Sequence, residues 1–179
     1  MLSFCALTAP FLSVEDGDAS SRTQSVSAER RLLTARVAAA DARRRYWLQV
    51  MHRRPAQPAR LSRLTLPALE RAAAWQRRSA LTLARVARHP PHLAAWLCIQ
   101  THETAAPFPG WRTNSGNGFY GGLQFDRSFE QTYGAWLYRV KGTADHWTPL
   151  EQIWTAEYAL AQGRGFAPWP LSSRDCGLL

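Results

Sequence analysis

Asn114-Ser-Gly-Asn-Gly-Phe-Tyr-Gly-Gly-Leu-Gln-Phe-Asp126 is a glycine-rich turn that opens into an aromatic, amide-bearing wall. Asn117-Gly118 is the dipeptide that supplies positive backbone angles to a tight turn, so the stretch predicts one small β-hairpin. Gly121 and Gly122 leave no side chain between the backbone and a ligand, while Tyr120 and Gln124 offer a flat ring and an amide. Those groups suit a sugar. The alternative reading makes Tyr120, Gln124 and the nearby Trp111 the hairpin's own core.

Upstream, Leu93 to Glu103 reads as a helix apolar on almost every face, which predicts burial. Pro90 and Pro91 separate it from what precedes, and the loop Thr104 to Gly110, with Pro107 and Pro109, stops it directly after Glu103. Glu103 therefore sits at the negative end of a helix among apolar residues, and both effects favour its neutral form. A protonated carboxyl is what acid-catalysed cleavage of a glycosidic bond requires; the plainer reading is a solvated residue that ends a helix. His102-Glu103 does not begin a His-Glu-x-x-His zinc motif, because Ala106 stands where the second histidine belongs. Cys98, His102 and Cys176 lack an evident fourth ligand, so no metal site is expected.

Downstream, Asp126 or Ser128 can cap a helix running to about Tyr138. Thr148-Pro149-Leu150-Glu151 is a capping box with proline at the first helical position, opening a helix that ends at Gly163. A capping role makes Asp126 the weaker candidate for a second catalytic carboxylate, and Glu157 reads as one half of a structural pair. These elements sum to a mainly α (α+β) domain with one small β-hairpin.

Trp96, Cys98 and Glu103, then Asn114 to Phe125, then Gln162-Gly-Arg-Gly-Phe-Ala-Pro-Trp-Pro170, resemble in that order the catalytic domain of the resuscitation-promoting factors, a transglycosylase-like family with a lysozyme-related fold. The resemblance covers residues 92 to 179. It implies a lysozyme-like domain, peptidoglycan glycan strands as substrate, Glu103 as the acid and then the base, and no cofactor. Ser128 stands where the family has a substrate-contacting threonine, Phe119 where it has a cleft tyrosine, and Gln162 where it has a cleft glutamine. With Tyr120, Gln124 and Trp111 they form the expected substrate-binding set. In the family a cysteine directly before the catalytic glutamate pairs with one two residues after the final Trp-Pro. Here Cys98 and Cys176 are both displaced by four residues, and the resemblance implies that the disulfide survives. Such a bridge closes a loop of roughly 80 residues, is worth several kcal/mol, and fits an oxidising compartment.

The rest of the chain differs in kind. Residues 21 to 92 carry 16 of the 22 Arg and Lys against Glu29, Asp41 and Glu70, whereas residues 93 to 179 hold six basic and seven acidic residues. Six of the eight tryptophans also lie after residue 92, so the aromatic mass of a compact core belongs to the near-neutral half. Residues 26 to 52 read as a helix with Leu33, Val37, Ala40, Arg44, Trp47 and Met51 on one seam. A Pro, Ala and Arg stretch from 55 to 60 breaks it, and a second helix runs from about 68 to 88 behind Pro67, with Arg71, Arg78 and Arg85 along one side. This is a basic helical hairpin or stalk. Its plain reading is a solvated arginine face; contact with an anionic membrane or wall polymer is the alternative. No specific nucleic acid is expected, since no recognition fold or interleaved aromatic accompanies the arginines.

No stretch reaches the ~20 apolar residues of a membrane-spanning helix. Residues 1 to 13 are apolar in the manner of a signal peptide's core, yet no basic residue precedes them and no small-x-small site follows. Three segments are therefore expected: 1–25, a disordered or degenerate export segment; 26–89, the basic helical extension; and 90–179, the lysozyme-like transglycosylase domain. The function expected is cleavage of the glycan strand, by lytic transglycosylation or hydrolysis, in a secreted or cell-envelope protein whose export signal is unclear. The competing expectation is a non-catalytic peptidoglycan-binding module on a basic stalk; a third makes the basic helices themselves the functional part.

Overall fold

The computed structural model describes residues 16–57, 60–104 and 110–179. Its helices are α1 (Asp16–Val50), α2 (Leu66–Ala87), α3 (Leu93–Glu103), α4 (Arg127–Tyr133), α5 (Ala135–Lys141), α6 (Pro149–Ala159) and α7 (Pro170–Asp175). The single sheet pairs β1 (Phe119–Tyr120) with β2 (Phe125–Asp126), antiparallel. The architecture is mainly α with one small hairpin, as the sequence predicts.

α1 starts at Asp16, ahead of the expected 26, so residues 16–25 are helical; the apolar start with Cys5 lies outside the described residues. The seam is where the spacing puts it. Leu33, Val37, Arg44 and Met51 are buried, and Arg44 is tolerated there because Asp41 pairs with it and its guanidinium lies over the Trp75 ring. The two helices do not form a hairpin. Arg30 donates to the Leu64 carbonyl just before α2, Arg44 meets Trp75, and Val50 shares a cluster with Ala87, so α1 and α2 run side by side in the same direction. The connector between them is long enough to return along the pair; a short loop would have forced an antiparallel arrangement.

The ends of both helices are built into the other half of the molecule. Val50, Met51 and Ala87 bury Trp154 of α6, flanked by Tyr46, Trp47, Leu83, Trp136 and Leu150. Trp154 Nε1 donates to the Ala87 carbonyl at 2.8 Å, satisfying an orphan acceptor at the end of α2. The Tyr46 hydroxyl donates to Glu151, and the His52 ring stacks on Tyr158.

The second and larger core gathers Trp96 and Ile99 of α3, Leu123 and Phe125 of the hairpin, Leu137, Trp147, Ile153 and Trp169. α3 buries one face only: Leu97 is 44% exposed, so the expectation of a helix buried all round is corrected. The expected helix through Tyr138 is two helices, broken at Gly134, where any Cβ would collide with the Trp147 ring. The capping box at Thr148 forms, with Glu151 bonding back to the Thr148 N–H at 2.7 Å. α6 then loosens into a π turn, Leu160–Arg164, that ends around Gly163 at positive φ. α7 has no counterpart in the sequence reading.

Candidate active site

Glu103 is the last residue of α3, half-buried, and it opens onto a cleft of about 450 Å³. Thr113, Ser115, Asn117, Phe119 and Gln124 form one wall; Pro168, Trp169, Pro170 and Leu171 form the other. Phe119 and Leu171 project as exposed apolar side chains, while Thr113 is buried at its base.

The hairpin wall is made differently from its sequence pattern. Phe119 pairs with Asp126 and Tyr120 with Phe125, so the turn that joins β1 to β2 is Gly121 to Gln124; Asn114 bridges antiparallel to Tyr120 just before it, so the chain also reverses across Asn117-Gly118, where Gly118 takes the positive φ. Asn117 accepts from the Phe119 N–H and folds the approach to β1. Gly121 and Gly122 do not face a ligand. A Cβ on Gly121 would strike Gln152, and one on Gly122 would lie 2.7 Å from the Trp111 ring, so both glycines make room for internal packing. Gln152 of α6 is fully buried and explains the arrangement: its oxygen accepts from Gly122 N, and its amide nitrogen donates to the carbonyls of Trp111, Ala144 and Trp147. One side chain thus ties the hairpin, the Trp111 turn and the Ala144–His146 turn to α6.

Of the expected substrate-binding set, Phe119 and Gln124 line the Glu103 cleft. Gln124 is held at positive φ with its amide donating to the Gly121 carbonyl. Tyr120 points the opposite way, as alternation along a strand requires, and packs on the core with Arg127 over its ring. Trp111 packs on Gly122 and lines a separate cavity of about 680 Å³ with Arg112, Asp145 and His146. Ser128 and Gln162 are exposed and do not line the cleft. Asp126 caps α4, accepting from the Phe129 N–H at 2.7 Å, and is also outside it. Glu157 is structural, accepting from the His92 N–H and the Trp96 indole.

Cys98 of α3 is joined to Cys176 after α7, with 6.0 Å between their Cα atoms. Sulfurs and the His102 imidazole lie within 4.8 Å of one another, and His102 Nδ1 is 3.7 Å from Asp175, but the disulfide occupies both thiols. The bridge fastens α7 across the end of α3. As a result the buried Ser172 donates its hydroxyl to Glu103 Oε1, a contact the sequence reading did not contain. A signal for it was present. Ser172 stands two residues after Pro170, where the resemblance implies a cysteine, and the half-cystine lies one helical turn further on.

Residues 94–172 match the family described as transglycosylase-like domain. Resuscitation-promoting factor Rpf1 of Corynebacterium glutamicum is 41% identical over 68 residues, covering 38% of this chain and 34% of that protein. Resuscitation-promoting factor Rpf of Micrococcus luteus is 41% identical over 68 residues, covering 38% of this chain and 28% of that protein. RpfB of Mycolicibacterium smegmatis is 39% identical over 67 residues, covering 37% of this chain and 18% of the relative. The chain thus spans about a third or less of the length of these relatives. No solved structure matches. From α3 into α7 the chain is thus similar to the transglycosylase-like domain and to the resuscitation-promoting factors.

Proposed function

We propose that this domain cleaves the glycan strand of peptidoglycan with Glu103 as its single acid and base. The observation that carries the reading is a lone carboxylate at the rim of a cleft whose walls alternate hydroxyl, amide and apolar groups. Sugars present the same mixture, apolar ring faces edged by hydroxyls. In this scheme Glu103 gives its proton to the departing glycosidic oxygen as the anomeric C–O bond breaks and an oxocarbenium-like centre forms. The substrate's own 6-hydroxyl then closes on that carbon and returns its proton to the Glu103 carboxylate, leaving an anhydro sugar. Among the described residues no second carboxylate lines the cleft, and Asp126 is committed to its cap, which supports this route over hydrolysis through a trapped intermediate. The scheme calls for no cofactor.

The site of action is the cell wall, outside the cytoplasmic membrane, where a structural disulfide persists. Among the described residues no helix is long and apolar enough to cross a membrane. The basic helices supply attachment to anionic wall polymer or membrane: Arg36, Arg43 and Arg77 line an alanine-floored groove between α1 and α2.

Glu103→Gln preserves shape but cannot deliver a proton, so it abolishes cleavage of purified cell wall while leaving binding intact. Mass spectrometry of the wild-type digest should find anhydro-sugar ends. Reducing ends alone would replace transglycosylation with hydrolysis, and undiminished cleavage by Glu103→Gln would remove Glu103 from the reaction.

A further inference from the structure

A glutamate's terminal torsion is broad, so the carboxyl of a residue at a helix end can rotate and present either oxygen or neither in the direction needed. Glu103 has this freedom in the chain, since α3 stops there. Its carboxyl is nevertheless engaged, because the Ser172 hydroxyl donates to Oε1. Ser172 is 4% exposed and cannot swing away to solvent.

What holds Ser172 is a short clasp. α7 is six residues long, too short to keep its place by helix formation alone. Ser173 N donates to the Trp169 carbonyl, and Trp169 is itself fixed by its indole bond to the Leu123 carbonyl at 2.6 Å. At the other end Cys176 N donates to the Ser172 carbonyl at 2.9 Å, and Cys176 is covalently bonded to Cys98 on α3, the helix that carries Glu103. The bridge and the hydroxyl therefore connect the same two segments, the bridge a little over one turn before Glu103 on α3 and directly after the end of α7.

We infer that Ser172 is a positioning residue for Glu103, and that the Cys98–Cys176 disulfide acts on the reaction through it. The hydroxyl takes Oε1 and leaves Oε2 as the oxygen that faces the scissile bond. Reduction of the bridge by a thiol or phosphine, with two electrons and two protons entering as the sulfurs become thiols, frees α7 and with it the clamp. The inference rests on the reading of Glu103 as the acid, but the hydrogen bond can be examined without turnover.

The test measures kcat and KM on soluble glycan fragments for the full-length wild type and Ser172→Ala, each with the disulfide intact and after reduction by a phosphine. The second readout is the carboxyl 13C resonance of Glu103, assigned by its loss in Glu103→Gln. Removing one oxygen from Ser172 leaves the backbone bonds of α7 in place. The expected result is a fall in kcat of about tenfold with KM within about twofold, since one orienting hydrogen bond is lost and binding is not. Reduction should lower wild-type kcat by a similar factor and Ser172→Ala hardly further, the non-additivity of two changes on one route. The Glu103 resonance should move in Ser172→Ala and in the reduced wild type alike. An unmoved resonance in Ser172→Ala overturns the inference, as does a full kcat, or an equal fall on reduction in both proteins. Absence of turnover in the wild type sinks the proposed function alone, because the resonance still decides whether Ser172 holds the carboxyl.

Discussion

Two buried glutamates, Glu130 and Glu151, are pushed in opposite directions, and an ammonium makes the difference. For Glu151 burial raises the carboxyl, but the Lys141 ammonium, the Thr148 N–H and the Tyr46 hydroxyl outweigh it and hold the group below the usual carboxylate range. Glu130 has only the Ala144 N–H, at 2.6 Å, on one oxygen; the other has no hydrogen-bond partner among the described residues. Burial pushes it up to about 7, helped by the charge of Asp145. Between the ordinary value of 4.5 and about 7 the folded chain keeps a proton that the unfolded chain has released. Stability is therefore expected to fall as pH rises through that window, by a total on the order of 3 kcal/mol. Urea unfolding at about pH 5 and about pH 8 measures it, and Glu130→Gln should flatten the dependence. An unchanged slope in that variant would assign the proton elsewhere.

Elements are joined here by polar side chains as much as by apolar ones. Gln152 lets α6 hold the hairpin and two turns, so Gln152→Leu strands buried carbonyls and the Gly122 N–H together. A loss of about 2–4 kcal/mol is expected in chemical denaturation. A loss under about 0.5 kcal/mol would mean that the loops re-pair without it. This hub also explains what the sequence could and could not disclose. The capping box of α6, the cap at Asp126 and the end of α3 at Glu103 are written in a few adjacent residues, because those bonds close locally. Asn117-Gly118 is an equally local signal and does turn the chain, bridging Asn114 to Tyr120, yet the turn that pairs β1 with β2 forms at Gly121 to Gln124, where Gln152 and Trp111 demand the absent Cβ atoms. A partner 30 residues away leaves no local trace. Tyr120 was separable from Phe119 by strand alternation alone, whereas Ser172 was visible only as a departure from a family pattern.

At the scale of the molecule, the charge boundary near residue 92 is not a structural boundary. The expected division into a basic extension, 26–89, and a domain, 90–179, predicts a domain that stands free of the helices, but Tyr46, Val50, Met51 and the Ala87 carbonyl complete the surroundings of Trp154 and Glu151. Deleting residues 1 to 88 is expected to cost on the order of 3 kcal/mol and to lower the melting temperature by several degrees. Turnover on short soluble glycans should persist where the fragment is folded, because among the described residues all that line the cleft lie at or after Glu103, while attachment to anionic walls loses its salt sensitivity. A truncation that melts with the full chain would show the joint to be idle. That joint also has a mechanical meaning. α1 is 35 residues long, about 50 Å at the helical rise, and it is seated by its C-terminal end on α6 with α2 alongside as a brace. A strut so fixed does not let the cleft wander on a tether. Whatever the distal end of α1 grips, the cleft is presented at a set radius from it, so the reach of one anchored molecule is a shell of wall and not a filled sphere.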